Sequence, residues 1–433
     1  MTQPKKTLLP PVFLFEMIDH GYAIGKSLHQ HGIKTVGFFP SSKNFEYFSR
    51  LPYKKYVTPQ NNEERLEQLI SAAKEFSTKP VLIINNESFY PFIYQYLDEL
   101  KQYFSFELPE KGILNTLLEK DLFNEFALKN NIRIPVSVEV SHQEPVNQNT
   151  FAHLQFPLVI KPKYRSPDWA AKYKFRKAFV AKSLKESVSI CQELFEVVDR
   201  LVVQEWIPGP DSNVFFCLTY LTAQGQVLET FCGQKIHQHP ILLGNTSSAI
   251  PTKNKAIEQE TLRILKLSGT SGFCSVEFKK HEITGQYYVI EPTVGRIDRQ
   301  QYVSSVSNKD VVLSAYCHLA NIPLIKKRST SDQYIYIEET LQLKSFLDYR
   351  YYKSKESEKI RQIIKHRKLK FMHLTKKDPV TSLLVMAGLV KHFLHYLIKG
   401  KTIEFQEDEI TKELMAYQPE KSEAYQTVPT SQL

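Results

Sequence analysis

The sequence predicts a mixed protein: an α/β unit, then an α+β unit, then a basic and mainly helical C-terminal region. Three observations carry that prediction. Short apolar runs alternate with helical stretches up to about residue 112. An antiparallel hairpin is legible at Gly272–Lys279 and Gln286–Glu291, around Thr284-Gly285. Between Lys344 and Lys377, twelve Lys or Arg residues stand against Asp348, Glu356 and Glu358.

Val12–Glu16 reads as the first strand and is followed by a helix around Ala23–His31, with Gly32 as its stop. Thr35–Phe39 is the next strand, and Val81–Asn85 follows a helix over Glu63–Phe76. Such alternation gives a small parallel sheet, because parallel neighbours need a crossover. Gly21 and Gly25 fit a tight turn and close helix packing as well as they fit a fragment of a nucleotide loop. From about Lys111 the character changes. A helix over Leu114–Asn130 leads to extended Ile132–Val140, the strand Pro157–Pro162, and a long basic loop. After a helix over Leu184–Val198 come strands at Leu201–Ile207, Asn213–Leu221 and Gln226–Cys232. Beyond about Lys401, the acidic cluster Glu404, Glu407, Asp408 and Glu409 precedes an expected disordered tail.

The chain of 433 residues is long enough for two or three domains. Its 42% hydrophobic and 24% charged content is that of a soluble globular protein. A net charge of +10 favours anionic partners, without choosing among nucleotides, nucleic acid, lipid headgroups and acidic polymers. Cys191, Cys217, Cys232, Cys274 and Cys317 are scattered and form no CxxC, so neither a disulfide framework nor a zinc site is expected. Buried reduced thiols and a reducing cytoplasm fit them better. Pro10, Pro11 and Glu16 break up the apolar start, and no cleavage site follows it. Val380–Val390 is cut short by Lys391, His392 and His395, so that run is too short to span a bilayer.

The hairpin carries the chemistry. Centred on Thr284, it sets Glu277 directly across from Glu291. Like charges facing each other on a sheet are destabilising, and a divalent cation between them resolves the conflict. Magnesium takes one or two carboxylates together with nucleotide phosphates; the alternative is a shifted register with one glutamate in solvent. Lys161, on the apolar strand Pro157–Pro162, and Lys120, in Leu118-Glu-Lys-Asp121, are suited to neutralising nucleotide phosphates. For either lysine alone, a solvated surface position is the commoner explanation. Leu201–Gly209 is an apolar strand running into a Pro-Gly turn. It can offer backbone groups of Gln204 and Glu205 to an adenine edge, with Trp206 and Ile207 walling the ring. A buried strand ending at a turn is the plainer reading.

In this order the pieces resemble the ATP-grasp superfamily, in particular its carboxylate–amine ligase-like members, which include D-aspartate ligases. The resemblance covers approximately residues 10–325. It implies a Rossmann-like pre-ATP-grasp domain (1–112), an ATP-grasp fold (113–325) and a basic C-terminal extension (326–433). Val276-Glu-Phe-Lys279 followed by Val289-Ile-Glu-Pro-Thr-Val-Gly-Arg296 is similar to the family's metal signature, so Glu277 and Glu291 are implied magnesium ligands. Gly233–Pro240 is similar to the segment over the triphosphate, which implies a place for Lys235 near the γ-phosphate or the acceptor. Arg296 is implied to hold the substrate carboxylate or its acyl phosphate. Two departures stand out. Thr293 occupies the position of a metal-binding Asn, and the phosphate loop Lys163–Lys177 has no glycine, offering six lysines and arginines instead.

The implied function is ATP- and Mg2+-dependent joining of a carboxylate to an amine through an acyl phosphate, in cell-wall or surface-polysaccharide metabolism. Two rivals stay open: a catalytically silent ATP-binding regulator, and a protein that acts through its basic C-terminal region on an anionic membrane. A dedicated nucleic-acid site is not expected, since a charge run is usually a solvated helix face. His237 and His239 are expected beside phosphates or at the surface. A cytoplasmic location is expected, with the basic region and the apolar Val380–Val390 helix docking the protein peripherally at the inner face of the membrane or on an acidic polymer precursor. Deleting residues after about 330 is expected to weaken recruitment while leaving nucleotide binding.

Overall fold

The computed structural model describes residues 8–163, 167–173, 178–307, 309–325, 333–352, 365, 367–400, 411–412 and 414–415, in three sheets. The first sheet is parallel and contains β1 (Val12–Leu14), β2 (Thr35–Phe39), β3 (Lys54–Val57) and β4 (Val81–Ile83), in the order β3-β2-β1-β4. Both faces are covered, which is why β1 and β4 are continuously apolar and β2 is apolar after Thr35. Phe13 and Phe38 pack under helix Asn62–Lys74 through Leu66 and Leu69. Val12 and Leu14 pack under helix His20–Gln30 through Ile24 and Leu28. A Cβ on Gly21 would collide with the Glu16 carbonyl, and one on Gly25 with Met17, so both glycines serve close packing.

The second sheet is antiparallel: β5 (Ser137–Ser141), β6 (Leu158–Pro162), β7 (Phe179–Ala181) and β8 (Arg200–Glu205), ordered β5-β8-β6-β7. Helix Leu184–Leu194, Phe151 and Trp169 cover its apolar side. The single helix expected over Leu114–Asn130 is two, Lys111–Leu118 and Lys120–Lys129. Glu119 breaks it with extended backbone (ψ 122°), so Lys120 opens the second helix.

The third sheet holds seven strands in the order β13-β12-β9-β10-β11-β14-β15. These are β9 (Val214–Leu221), β10 (Val227–His239), β11 (Asn245–Pro251), β12 (Gly272–Lys280), β13 (Tyr287–Val294), β14 (Tyr334–Ile337) and β15 (Lys368–Phe371). β10 runs well past Cys232 because β9 and β11 pair with it on either side.

The C-terminal part is more than helical, since β14 and β15 extend this central sheet. The four-residue runs are shorter than a period argument can resolve. Helix Pro379–Lys399 also corrects an expectation: it continues through Lys391, His392 and His395 for 21 residues, long and apolar enough by length and composition to cross a membrane. Most of the basic run between 353 and 366, and most of the expected tail, lie outside the described residues. All five cysteines are buried and free.

Candidate functional site

The floor of the main cleft is the β12–β13 hairpin. Glu277 pairs with Glu291 and Ser275 with Thr293, the register that the spacing around Thr284 predicts. Beyond Glu277 the register shifts, so that Phe278 faces Val289 and Ile290 is the extra residue. A bulge of this kind re-aims side chains locally. Lys235 Nζ lies 2.7 Å from Glu277 Oε2, with the lysine side chain almost wholly buried. Gln300 Nε2 also donates to Glu277 Oε2 at 3.3 Å, and Ser275 Oγ donates to Asp298 at 2.6 Å.

Glu291 is compensated less well. Its desolvation within the cleft, then the Glu277 and Asp298 carboxylates, push its carboxyl upward, against Lys120 and Arg296. Glu277, Glu291 and Asp298 line one cleft, and three carboxylates of which only Glu277 is bonded to a buried ammonium, Lys235, are the donor set of a hard cation. The residues present therefore fit magnesium, and the buried Thr293 hydroxyl lies on the Glu291 side of β13. Among the described residues, a tighter carboxylate and histidine group lies elsewhere, at Glu338, Glu339 and His373. There Glu339 accepts from His373 Nδ1 at 3.1 Å and from two backbone amides at 2.8 Å. Burial works to lower His373, but its hydrogen bond to Glu339 together with the Glu339, Glu338 and Glu46 charges outweighs that and raises it, so the pair reads as a buried ion pair.

The cleft of about 510 Å³ is lined by Gln204, Glu205, Trp206, Ile207, Lys235, Glu277, Glu291, Thr293 and Arg296. Lys120 and Lys161 line an adjoining cavity of about 460 Å³ that shares Gln204 and Glu291 with it. The residues expected to bind nucleotide, metal and substrate (Lys120, Lys161, Gln204–Ile207, Lys235, Glu277, Glu291, Thr293 and Arg296) thus border one or other of two contiguous spaces. Burial, then the Lys120 charge, lowers Lys161 to about 8. Lys161 Nζ is held at 3.4 Å from Gln204 Oε1. Two cations brought together, with no carboxylate partner for Lys161 among the described residues, make a place for an anion. Lys163 is otherwise engaged, with Asp121 at 2.9 Å and Glu139 at 2.5 Å, and Lys172 pairs with Glu196. Arg165, Lys174, Arg176 and Lys177 lie outside the described residues.

On β8, side chains alternate across the sheet. Glu205 turns its carboxylate away to accept the Gln155 amide at 2.8 Å, so only its backbone belongs to the cleft. Arg296 is half-buried in the cleft wall, with Nε 3.4 Å from Glu87.

Sequence reasoning missed several lining residues. Lys279 is buried, donates to the Gly209 and Pro210 carbonyls at 2.8 and 2.9 Å, and lies 5.9 Å from the Trp206 ring centre. Burial lowers it to about 8. Its alternation on β12 placed it on the Glu277 side, which was the available signal. Asp298, Arg299, Gln300 and Gln238 carried none. His237 and His239 are corrected: both are buried, His237 against Ser248 and Tyr349, and His239 against Asp348. A side cavity of about 220 Å³ opens from the cleft through Asn245, Thr246 and Arg299. Its wall includes Glu338, which burial pushes upward, and His20. Burial lowers His20 to about 4, and its Nδ1 has no hydrogen-bond partner among the described residues.

None of the family models matches the chain. Over 237 residues it is 25% identical to D-aspartate ligase of Enterococcus faecium (strain Aus0004), across 52% of this chain and 56% of that enzyme. The chain thus spans about half the length of the curated relative it matches. Its fold is similar to that of an N5-carboxyaminoimidazole ribonucleotide synthetase solved with ADP (TM-score 0.53, 15% identity, 75% of this chain and 81% of that one). The Staphylococcus aureus N5-carboxyaminoimidazole synthetase gives TM-score 0.53 at 14% identity, with the same coverage. The biotin carboxylase domain of Hydrogenobacter thermophilus 2-oxoglutarate carboxylase, solved with MgADP, ADP and bicarbonate, gives 0.53 at 13% over 75% of this chain and 72% of that one. At such identity the structural likeness is one of fold.

Proposed function

Starting from the ATP-grasp fold that the chain shares with these structures, we propose that it is a carboxylate–amine ligase that uses Mg·ATP. The observation that carries the reading is the Glu277–Glu291 pair on the cleft floor, faced by Lys235 and flanked by Lys120 and Lys161. Glu277, Glu291 and the Thr293 hydroxyl would hold magnesium, which when bound neutralises phosphate charge. Lys120 and Lys161 bind phosphate oxygens. Trp206 and Ile207 wall the adenine, while the Gln204–Ile207 backbone reads its edge. Lys279 keeps that hinge in place through the Gly209 and Pro210 carbonyls.

Arg296 orients the substrate carboxylate, one of whose oxygens attacks the γ-phosphorus as ADP leaves. The product is an acyl phosphate beside Lys235. The amine then attacks the acyl carbon, the C–O bond to phosphate breaks, and the nitrogen gives its extra proton to the departing phosphate to leave the amide. The side cavity is suited to that amine, because the Glu338 carboxyl and the lone pair on His20 Nδ1 accept hydrogen bonds from it. Positioning and charge neutralisation supply the catalysis. The similarity to D-aspartate ligase supports an amino acid such as D-aspartate as one substrate, and we assign the reaction to cell-wall or surface-polysaccharide metabolism. We place the protein in the cytoplasm, in peripheral contact with the inner face of a membrane.

The test is ADP release from Mg·ATP in the presence of a pooled amino-acid and metabolite extract. Release should depend on the extract and fall at least about 10²-fold in Glu291→Ala. A protein that binds Mg·ATP yet releases no ADP under any supplement is the silent regulator that Thr293 makes a specific rival. A protein that does not bind nucleotide sinks both readings.

A further inference from the structure

We propose that helix Pro379–Lys399 is a membrane-docking element that lays its outward face into the surface of an anionic phospholipid bilayer. The helix is built the wrong way round for a water-facing one. Thr381 and Val385 are its buried residues, and Gly388, His392 and Tyr396 continue that side half-buried. The opposite side carries Leu383, Met386, Val390, Leu394 and Leu397, spaced by three and four residues. Their exposures are 66%, 52%, 58%, 50% and 62%, and Ile398 beside them is 77% exposed. The polar and small side chains thus face the protein, and the large apolar ones face out. A stripe this continuous is favourable only when something apolar covers it.

The charges select the cover. The helix contains no Asp or Glu; Lys391 borders its apolar stripe, Lys399 closes its last turn, and His392 and His395 lie on the half-buried side. Lysines at such borders keep their stems on the apolar surface while their ammonium groups reach phosphate headgroups. A second copy is a poor partner, because each chain carries a net charge of +10 and the apposed helices are both basic. The same charge attracts an anionic leaflet.

The attachment decides between lying on the bilayer and crossing it. Asp378, just before the helix, accepts Ser49 Oγ at 2.6 Å, Thr381 Oγ1 at 2.7 Å and Tyr22 Oη at 3.0 Å, which fixes the first turn to the N-terminal unit. Lys391 would fall near the middle of a crossing helix, where a charge is costly. The helix therefore lies in the interface, with its C-terminal half as the contact. The inference stands apart from the ligase reading and draws on none of its residues.

The full chain is to be floated with vesicles of phosphatidylcholine and phosphatidylglycerol in equal parts, and with vesicles of phosphatidylcholine alone. Wild type should float with the anionic vesicles. The double variant Leu394→Glu/Leu397→Glu should lose the bound fraction about tenfold or more. Its Tm should not change, because both side chains are exposed. Wild type that stays unbound, or a variant that still floats, overturns the proposal. So does a wild-type dimer that the variant converts to a monomer, since the face would then belong to a second copy.

Discussion

Lys161 and Glu291 show how single residues in the cleft are held in unfavourable states that a ligand relieves. Lys161 loses hydration on β6 and has Lys120 beside it, so its ammonium form is disfavoured down to about pH 8. Phosphate oxygens favour the ammonium form again. Below pH 8 the lysine is already charged and nucleotide affinity should be flat. Above pH 8 binding must take up a proton, so affinity should fall by up to about tenfold per pH unit. Titration calorimetry with Mg·ATP from pH 7 to 9 (about one unit either side of the Lys161 midpoint) measures this, and Lys161→Met should bind more weakly with a flatter profile. An unchanged slope in the variant would assign the pH dependence to another group, such as Lys279. Glu291 is the counterpart for the cation, raised by its surroundings and by Glu277, whereas Glu277 already has Lys235.

At the scale of elements, the cleft depends on one buried carboxylate outside it. Asp211 is fully buried after the hinge. It accepts the Gln238 amide at 2.8 Å, Gln238 Nε2 at 2.9 Å, the Leu242 amide at 2.7 Å and Tyr349 Oη at 2.8 Å. It therefore ties the hinge turn to the end of β10 that carries Lys235 and to helix Glu339–Tyr351. Asp211→Ala leaves several buried donors without partners and should destabilise the fold by about 2–4 kcal/mol. Urea denaturation checks this, and a loss below about 0.5 kcal/mol would mean that water replaces the carboxylate. Part of this junction was legible. The Pro208-Gly209 turn and the apolar β8 run are sequence signals, but Asp211 reads as an ordinary turn residue, because its four donors come from two segments far along the chain, Gln238–Leu242 and Tyr349.

Over the whole molecule, the C-terminal part closes the structure and is not an appendage. β14 pairs with β11 in the central sheet, and β15 pairs with β14. Lys26, from the first helix, donates to the Phe371 and Met372 carbonyls at 2.7 and 2.8 Å. Asp378 gathers Tyr22 and Ser49 of the N-terminal unit. A chain ending at about residue 330 would expose the edge of β11 and leave Lys26 buried without its acceptors. It should fail to accumulate as soluble folded protein, which replaces the expectation that such a deletion spares nucleotide binding. A soluble truncation that melts cooperatively near the full-length Tm would show that the C-terminal strands are dispensable.

What the sequence determined by itself was local. Period-two alternation fixed which side chains of β12 and β13 share a face, and the turn at Thr284-Gly285 fixed the register, so Glu277 and Glu291 were brought together on paper. The apolar runs around Lys161 and before Gly209 likewise announced strands whose polar exceptions had to have a purpose. Only the tertiary structure decided which elements meet. The Lys26 and Asp378 contacts join segments more than 300 residues apart, and the side cavity combines His20, Asn245 and Glu338. It also decided which face of helix Pro379–Lys399 turns outward. Periodicity shows that a helix has two faces, but which face the protein covers depends on the neighbours that packing supplies.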